Sequence, residues 1–133
     1  MKILIDTDVL LDVALARPPH VKDSAAVLKW AEAGNQAVIA WHSISNCAYL
    51  LKQDGRPFLQ CLLGFVEVAE TDTISARRAL DLPMNDLEDA MQSAAALSGS
   101  AKYIITRNLP DYKNSPIPAL SPKQFLAKFR KGD

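Results

Sequence analysis

Cysteine is nearly missing from this 133-residue chain, which has two, Cys47 and Cys61. They form no C-x-x-C pair and have no histidines at zinc-ligand spacing, so a disulfide framework, a dithiol redox centre and a structural zinc are excluded. Both are read as reduced, buried thiols in a reducing compartment. A surplus of either charge is also missing. Fifteen basic residues offset fifteen acidic ones, so the strongly basic balance typical of nonspecific nucleic-acid binders does not occur. No apolar run approaches the ~18 residues of a membrane-spanning helix. The start, Met1–Ile5, lacks the cationic and longer apolar pattern of a secretory signal, and the expected location is the cytoplasm. Glycine is sparse at 5 residues, and no glycine-rich loop follows the first apolar run. The usual phosphate cradle of a nucleotide-binding regulator is therefore absent.

The remaining composition, 49% apolar and 23% charged, is that of a globular chain able to bury a core without disulfides or a structural metal. A single domain over 1–133 is expected, with disorder only at Arg130–Asp133. Lys2–Ile5, Gln36–Ala40, Phe65–Ala69, Lys102–Thr106 and Ile117–Leu120 read as strands. The last is placed at an edge, because Pro116 and Pro118 cannot donate ladder hydrogen bonds. Helices alternate with them. One runs from a cap at Thr7 or Asp8 to about Ala16, the next from Asp23 or Ser24 to Ala33, and a third opens at Ser43 or Ser45. A polar turn over Lys52–Arg56 leads into a fourth, with Pro57 in its first turn. Thr71–Leu82 follows, then Asp86–Leu97 behind an Asn85/Glu88 capping box, and a last helix from Ser121-Pro122 to about Arg130. Such alternation predicts an α/β fold, a three-layer α/β/α sandwich around a mainly parallel sheet of about five strands.

Open parallel sheets form their sites beyond the carboxyl ends of the strands. Asp6 follows the first strand directly; Arg107, Asn108 and Asp111 follow the fourth. If the fourth strand returns beside the first, Asp6 and Asp111 come within reach of one ion. Asp86 and Asp89, three residues apart, share a face of the helix before that strand. Leu87, Ala90, Met91 and Ala94 are left to pack on the sheet. Hard carboxylate oxygens suit Mg²⁺ or Mn²⁺, which polarises a phosphate and lowers the pKa of bound water. Each acid also has a bland reading. Asp86 and Glu88 suit the positive end of a helix dipole, Asp8 suits a helix cap, and Asp111 suits the turn Leu109-Pro110-Asp111. Asp6 is harder to dismiss, because an acid ending a buried strand is costly without a partner.

Ile3-Leu4-Ile5-Asp6-Thr7-Asp8-Val9-Leu10-Leu11-Asp12, Asn85-Asp86-Leu87-Glu88-Asp89-Ala90 and Ile104-Ile105-Thr106-Arg107-Asn108 with Asp111-Tyr112 together resemble the PIN-domain family. Ile117–Leu120, Ser121-Pro122 and Phe125-Leu126 also fit, while the middle third is unspecific. The family includes the ribonuclease toxins (VapC-type) of bacterial and archaeal toxin–antitoxin pairs. The resemblance implies a metal-dependent endoribonuclease, using Mg²⁺ or Mn²⁺, with an RNA substrate and a restraining antitoxin. It carries a catalytic and metal-binding role to Asp6, Asp89 and Asp111, and a supporting polar role to Thr106, Arg107 and Asn108. One departure stands out. Many members place a Glu in the third helix where this chain reads Ser43-Ile44-Ser45-Asn46; Asn46 can hydrogen-bond but carries no charge. Asp86 or Asp8 is expected to make up that charge.

Two other functions compete. A catalytically weak PIN module acting through partner or RNA binding agrees with Asn46 and with the neutral balance. A haloacid-dehalogenase-like phosphatase is suggested by Asp6-Thr7-Asp8, but no Gly-Asp-x-x-x-Asp segment accompanies it. Trp30, Trp41, Val13 and Leu15 are read as core residues, with a groove or homodimer face as the other reading.

Overall fold

The computed structural model describes residues 1–129. The end of the last helix at Arg130 and the expected disorder of Arg130–Asp133 lie outside the described residues. The elements are β1 (Lys2–Ile5), α1 (Thr7–Ala14), α2 (Val21–Glu32), β2 (Gln36–Ile39), α3 (Trp41–Leu51), a 3-10 turn (Lys52–Asp54), α4 (Gly55–Leu62), β3 (Glu67–Val68), α5 (Thr73–Asp81), α6 (Leu87–Ser98), β4 (Tyr103–Ile105), a second 3-10 turn (Leu109–Tyr112), β5 (Ala119–Leu120) and α7 (Pro122–Phe129).

The sheet order is β3-β2-β1-β4-β5, and all four pairings are parallel. The expected adjacency of the first and fourth strands is therefore real. It continues one residue past the end of β1, since Asp6 N donates to Ile105 O at 2.9 Å. β1 lies in the middle and is covered on both faces, which is why it reads as an unbroken apolar run.

Ile3 and Ile5 point into one layer with Ala37, Ile39, Val9, Val27 and Phe125. Leu4 points into the other with Val38, Ala95, Ala96 and Ile104. Burying each such Ile or Leu fully contributes about 1.5–3 kcal/mol. Trp30 stacks edge-on against Phe125, ring centroids 4.9 Å apart. α5 packs outside α6, through Ala79 against Ala90 and Ala94. Gly99 ends α6 for a packing reason: a Cβ there would sit 3.2 Å from both Ala69 Cβ and Ala95 O.

Several local expectations change. α2 begins at Val21 with His20 as its unassisted N-cap, because Ser24 is buried and donates to Asp12 instead. α3 begins at Trp41, since Ser43 is engaged from within the helix. The Lys52–Arg56 segment is helical over most of its length. Asp72, with Ser75, caps α5 in a reciprocal capping box. Asp86, not Asn85, caps α6, its carboxylate accepting from Asp89 N at 3.0 Å. Leu87 and Met91 are exposed, as are Trp41 and Leu15, and Cys61 is exposed while Cys47 is buried. The buried surface of α6 differs from the expected Leu87, Ala90, Met91 and Ala94 because this alanine-rich helix packs on two layers at once, with Ala95 and Ala96 on the sheet and Ala90 and Ala94 on α5. No helix of the described residues is long and apolar enough to cross a membrane.

Candidate active site

A cavity of about 380 Å³ opens at the carboxyl edge of the sheet, lined by Asp6, Asp8, Glu88 and Asp89 with Thr7, His42, Asn46 and Gln92 and, on another part of the wall, Arg17, Arg107 and Asn108. Asp6 sits at its floor because β1 ends there and the chain turns at once into α1. Its carboxylate caps that helix, Oδ1 accepting from Thr7 N at 2.7 Å. Its Oδ2 accepts from the Thr106 hydroxyl at 2.8 Å and the Tyr112 hydroxyl at 3.1 Å. Asp6 is only 6% exposed. Burial, and then the charge of Asp8, push its pKa up to about 7 despite these three donors.

Tyr112 ties the two firmest sequence candidates together. Its hydroxyl lies 3.1 Å from Asp6 Oδ2 and 3.2 Å from Asp89 Oδ1. One phenolic proton is thus shared between two carboxylates. Burial raises the Tyr112 pKa well above its ordinary value, and the two negative charges add to it, so the phenol stays a donor. Asp89, in the first turn of α6, is raised to about 6, chiefly by burial and then by Asp86, with smaller contributions from Asp111 and Asp8.

Asp8 has one committed and one idle oxygen. Oδ2 accepts from Arg107 N at 3.1 Å and Asn108 Nδ2 at 3.2 Å, with the Thr106 hydroxyl 3.4 Å away. Oδ1 is buried with no hydrogen-bond partner among the described residues. Burial raises the Asp8 pKa, opposed by Arg107. Arg107 itself is anchored by the fully buried Asp12, at 2.6 Å through Nε and 3.1 Å through a terminal nitrogen. Asp12 also takes Arg17 Nε at 3.1 Å and the Ser24 hydroxyl at 3.2 Å. Two guanidinium groups are thereby fixed along the cavity wall by one carboxylate.

Sequence reasoning brought Asp6, Asp8, Asp89, Asn46, Thr106, Arg107 and Asn108 to this edge, and all seven are there or, for Thr106, directly beneath it. Two candidates are placed differently. Asp86 is occupied as the α6 cap and does not line the cavity. Asp111 is exposed on its 3-10 turn and also lies outside the lining, although its charge reaches Asp89. Tyr112, Asp12, Arg17, His42, Glu88 and Gln92 were not assigned to the site from sequence. Gln92 had a readable signal: it is the polar residue three after Asp89, hence on the same helix face. Its amide donates to Thr7 Oγ1 at 3.1 Å and Ser43 Oγ at 2.9 Å, locking α1, α3 and α6 together. Cys47 is no candidate nucleophile, since burial pushes its thiol up to about 11.

Among the described residues no three Asp, Glu, His or Cys side chains converge as a ready-made metal cluster. What the cavity lining does hold is three buried polar atoms without a partner among the described residues, the acceptors Asp8 Oδ1 and Gln92 Oε1 and the ring nitrogen His42 Nε2, beside two carboxylates whose charge burial disfavours. A hydrated divalent cation supplies what is lacking, positive charge and water protons to donate, and Asp6, Asp8 and Asp89 are the hard oxygens it prefers. On this test the residues fit such an ion.

A five-stranded parallel sheet flanked by helices, with buried acids at its carboxyl edge, defines the class as an α/β protein with a PIN-like fold. The PIN-domain profile matches residues 2–110, and the chain belongs to the PIN-domain family. Among solved structures it is similar to the VapBC2 complex of Rickettsia felis bound to a DNA fragment from its promoter, with TM-score 0.73 and 14% identity over 91% of this chain and 98% of that one. It also resembles a toxin–antitoxin complex from Klebsiella pneumoniae, with TM-score 0.65 and 23% identity over 90% and 97%. A third likeness is to VapBC-1 of nontypeable Haemophilus influenzae, with TM-score 0.66 and 14% identity over 92% and 99%. No curated protein matches the chain in sequence.

Proposed function

We propose that this PIN protein is a divalent-metal-dependent endoribonuclease, the toxin of a toxin–antitoxin pair. The observation that carries the reading is the Asp6–Tyr112–Asp89 bridge. It places carboxylates from distant parts of the sequence around one phenol, beside a cavity that also holds two anchored arginines. A bound Mg²⁺ or Mn²⁺ would polarise the RNA phosphate and lower the pKa of an attacking water. Asp6, Asp8 and Asp89 offer the hard oxygens for the ion, while Asp111, outside the lining, contributes only through its charge on Asp89. Thr106 and Tyr112 orient Asp6, and Asp12 holds Arg17 and Arg107 where they can donate to phosphate oxygens. Asn46 and Asn108 serve as supporting polar groups.

The antitoxin partner is supported by the solved relatives, which are toxin–antitoxin complexes. A cytoplasmic location suits a nuclease acting on the cell's own RNA, and the exposed Trp41 and Leu87 are available to a partner or to a second copy. The test is RNA cleavage by purified protein with Mg²⁺ or Mn²⁺ and with chelator. Cleavage that requires the ion and falls at least about 100-fold in Asp6→Asn and in Asp89→Asn is expected. Growth arrest on expression should likewise vanish in Asp89→Ala. Asn46 and the lack, among the described residues, of a converged acidic trio favour a second reading, a binding module. RNA binding without cleavage in either metal would establish it and end the nuclease assignment.

A further inference from the structure

The family resemblance implies a carboxylate on α3, and Asn46 stands there instead. Neither substitute considered from sequence adds a fourth acid to Asp6, Asp8 and Asp89: Asp8 is already counted among those three, with only Oδ1 left unpartnered. Asp86 is committed to capping α6 and lies outside the cavity lining. Asp8 holds Arg107 and Asn108 through Oδ2. Glu88 is different. It projects from the first turn of α6 into the lining, close enough to the α3 wall for its charge to act on His42. Its exposed carboxylate is held by no hydrogen bond among the described residues.

We infer that Glu88 supplies the missing carboxylate, from α6 rather than α3, as a ligand, directly or through water, of the divalent cation at this site. The assignment rests on the metal-dependent reading above. A second observation on the same helix face points to that ligand independently of the acids. Gln92 lies one turn after Glu88 and is 2% exposed. Its amide nitrogen is fully used by Thr7 and Ser43, yet Oε1 has no donor. A buried amide oxygen left without a donor is destabilising, so a donor is expected to reach it. Mg²⁺ and Mn²⁺ keep part of their water shell, and those waters donate outward. Glu88, Asp89 and Gln92 together present one face of α6 as acceptors for a hydrated ion. An ion of this kind requires oxygen and charge around it but not a particular helix of origin, so an acid lost from one wall can be replaced from another.

The test is calorimetric titration of Mn²⁺ into the metal-free full-length protein, a binding readout independent of RNA cleavage. Wild type, Asp6→Asn, Glu88→Gln and Asp86→Asn are compared, each checked for an unchanged circular dichroism spectrum. Glu88→Gln should weaken Mn²⁺ binding by about 10–100-fold, and Asp86→Asn should leave it near wild type. Adding Asn46→Glu to Glu88→Gln should restore affinity by returning an acid to the α3 wall. If wild type binds Mn²⁺ and Asp6→Asn abolishes it while Glu88→Gln binds as wild type, the Glu88 assignment falls and the metal reading stands. If Asp86→Asn weakens binding as much as Glu88→Gln, or the Asn46→Glu rescue fails, the assignment falls too. If wild type binds no Mn²⁺, both fall together.

Discussion

Replacing Asp6 with Asn should reverse the order of stability of the two metal-free proteins between pH 5 and pH 8. Burial and the neighbouring Asp8 push the Asp6 carboxyl from 3.8 up to about 7. The folded protein therefore binds this proton more tightly than the unfolded chain does. Its contribution to stability is complete below about pH 4 and is lost as pH rises through about 7. Between pH 5 and pH 8 the loss amounts to about 2–3 kcal/mol, or roughly 6–12 °C in Tm for a chain of this length. Asn carries no such dependence, but its amide cannot accept every hydrogen bond now made by Thr7, Thr106 and Tyr112, at a cost of about 1 kcal/mol. Wild type should thus be the more stable at pH 5 by about 1 kcal/mol. Asp6→Asn should be the more stable at pH 8 by about 1–2 kcal/mol. Thermal melts in chelator across this range, followed by circular dichroism, would show the crossing. Mn²⁺ at a hundred times its Kd should then return about 2.7 kcal/mol to wild type at pH 8, and little to the variant. Parallel Tm–pH curves for the two proteins would refute the reasoning.

Asp12→Ala should destabilise the protein by about 2–4 kcal/mol, somewhat below the ~3–5 kcal/mol for breaking a fully buried ion pair. Both arginines keep some contact with water, with side-chain exposures of 40% and 27%. A urea midpoint corresponding to less than about 1 kcal/mol of loss would show that Asp12 does not organise that wall. Tyr112→Phe removes the donor shared by Asp6 and Asp89, so both carboxyls should move further up from about 7 and about 6. In side-chain carboxyl NMR titrations of the metal-free protein both resonances should titrate at higher pH than in wild type, and unchanged midpoints would contradict the bridge.

The parts of the fold that could be read from the chain alone are those set by neighbours in sequence. Ile3-Leu4-Ile5 has no polar face, so it could only be a strand covered on both sides, and an acid placed directly after it had to be partnered. Position in the chain put Asp86 and Asp89 alike at the start of the helix before the fourth strand, and only the family resemblance, an acid before Ala90, singled out Asp89. The helix caps were less legible. Asn85 and Asp86 are adjacent and equally suited by chemistry, and only backbone geometry selected Asp86. The outward turn of Leu87 and Met91 was hidden for another reason, since spacing along a helix cannot reveal that a second helix, α5, covers the face that holds Ala90 and Ala94.

What could be read from the amino-acid sequence by itself was the α/β alternation, a mainly parallel sheet, and the placing of Asp6 and Asp89 at its carboxyl edge; Asp111, expected with them, lies outside the cavity lining. These follow from periodicity, punctuation by Pro and Gly, and the cost of burying charge. The tertiary structure decided which acids are free to act. Gln92 bonds Thr7 across 85 residues of sequence and Tyr112 bonds Asp6 across 106, separations over which no local pattern carries information. The cap that occupies Asp86 and the arginines that occupy Asp12 are likewise settled by the folded chain, and among the described residues Glu88 is left as a cavity-wall carboxylate with no hydrogen bond.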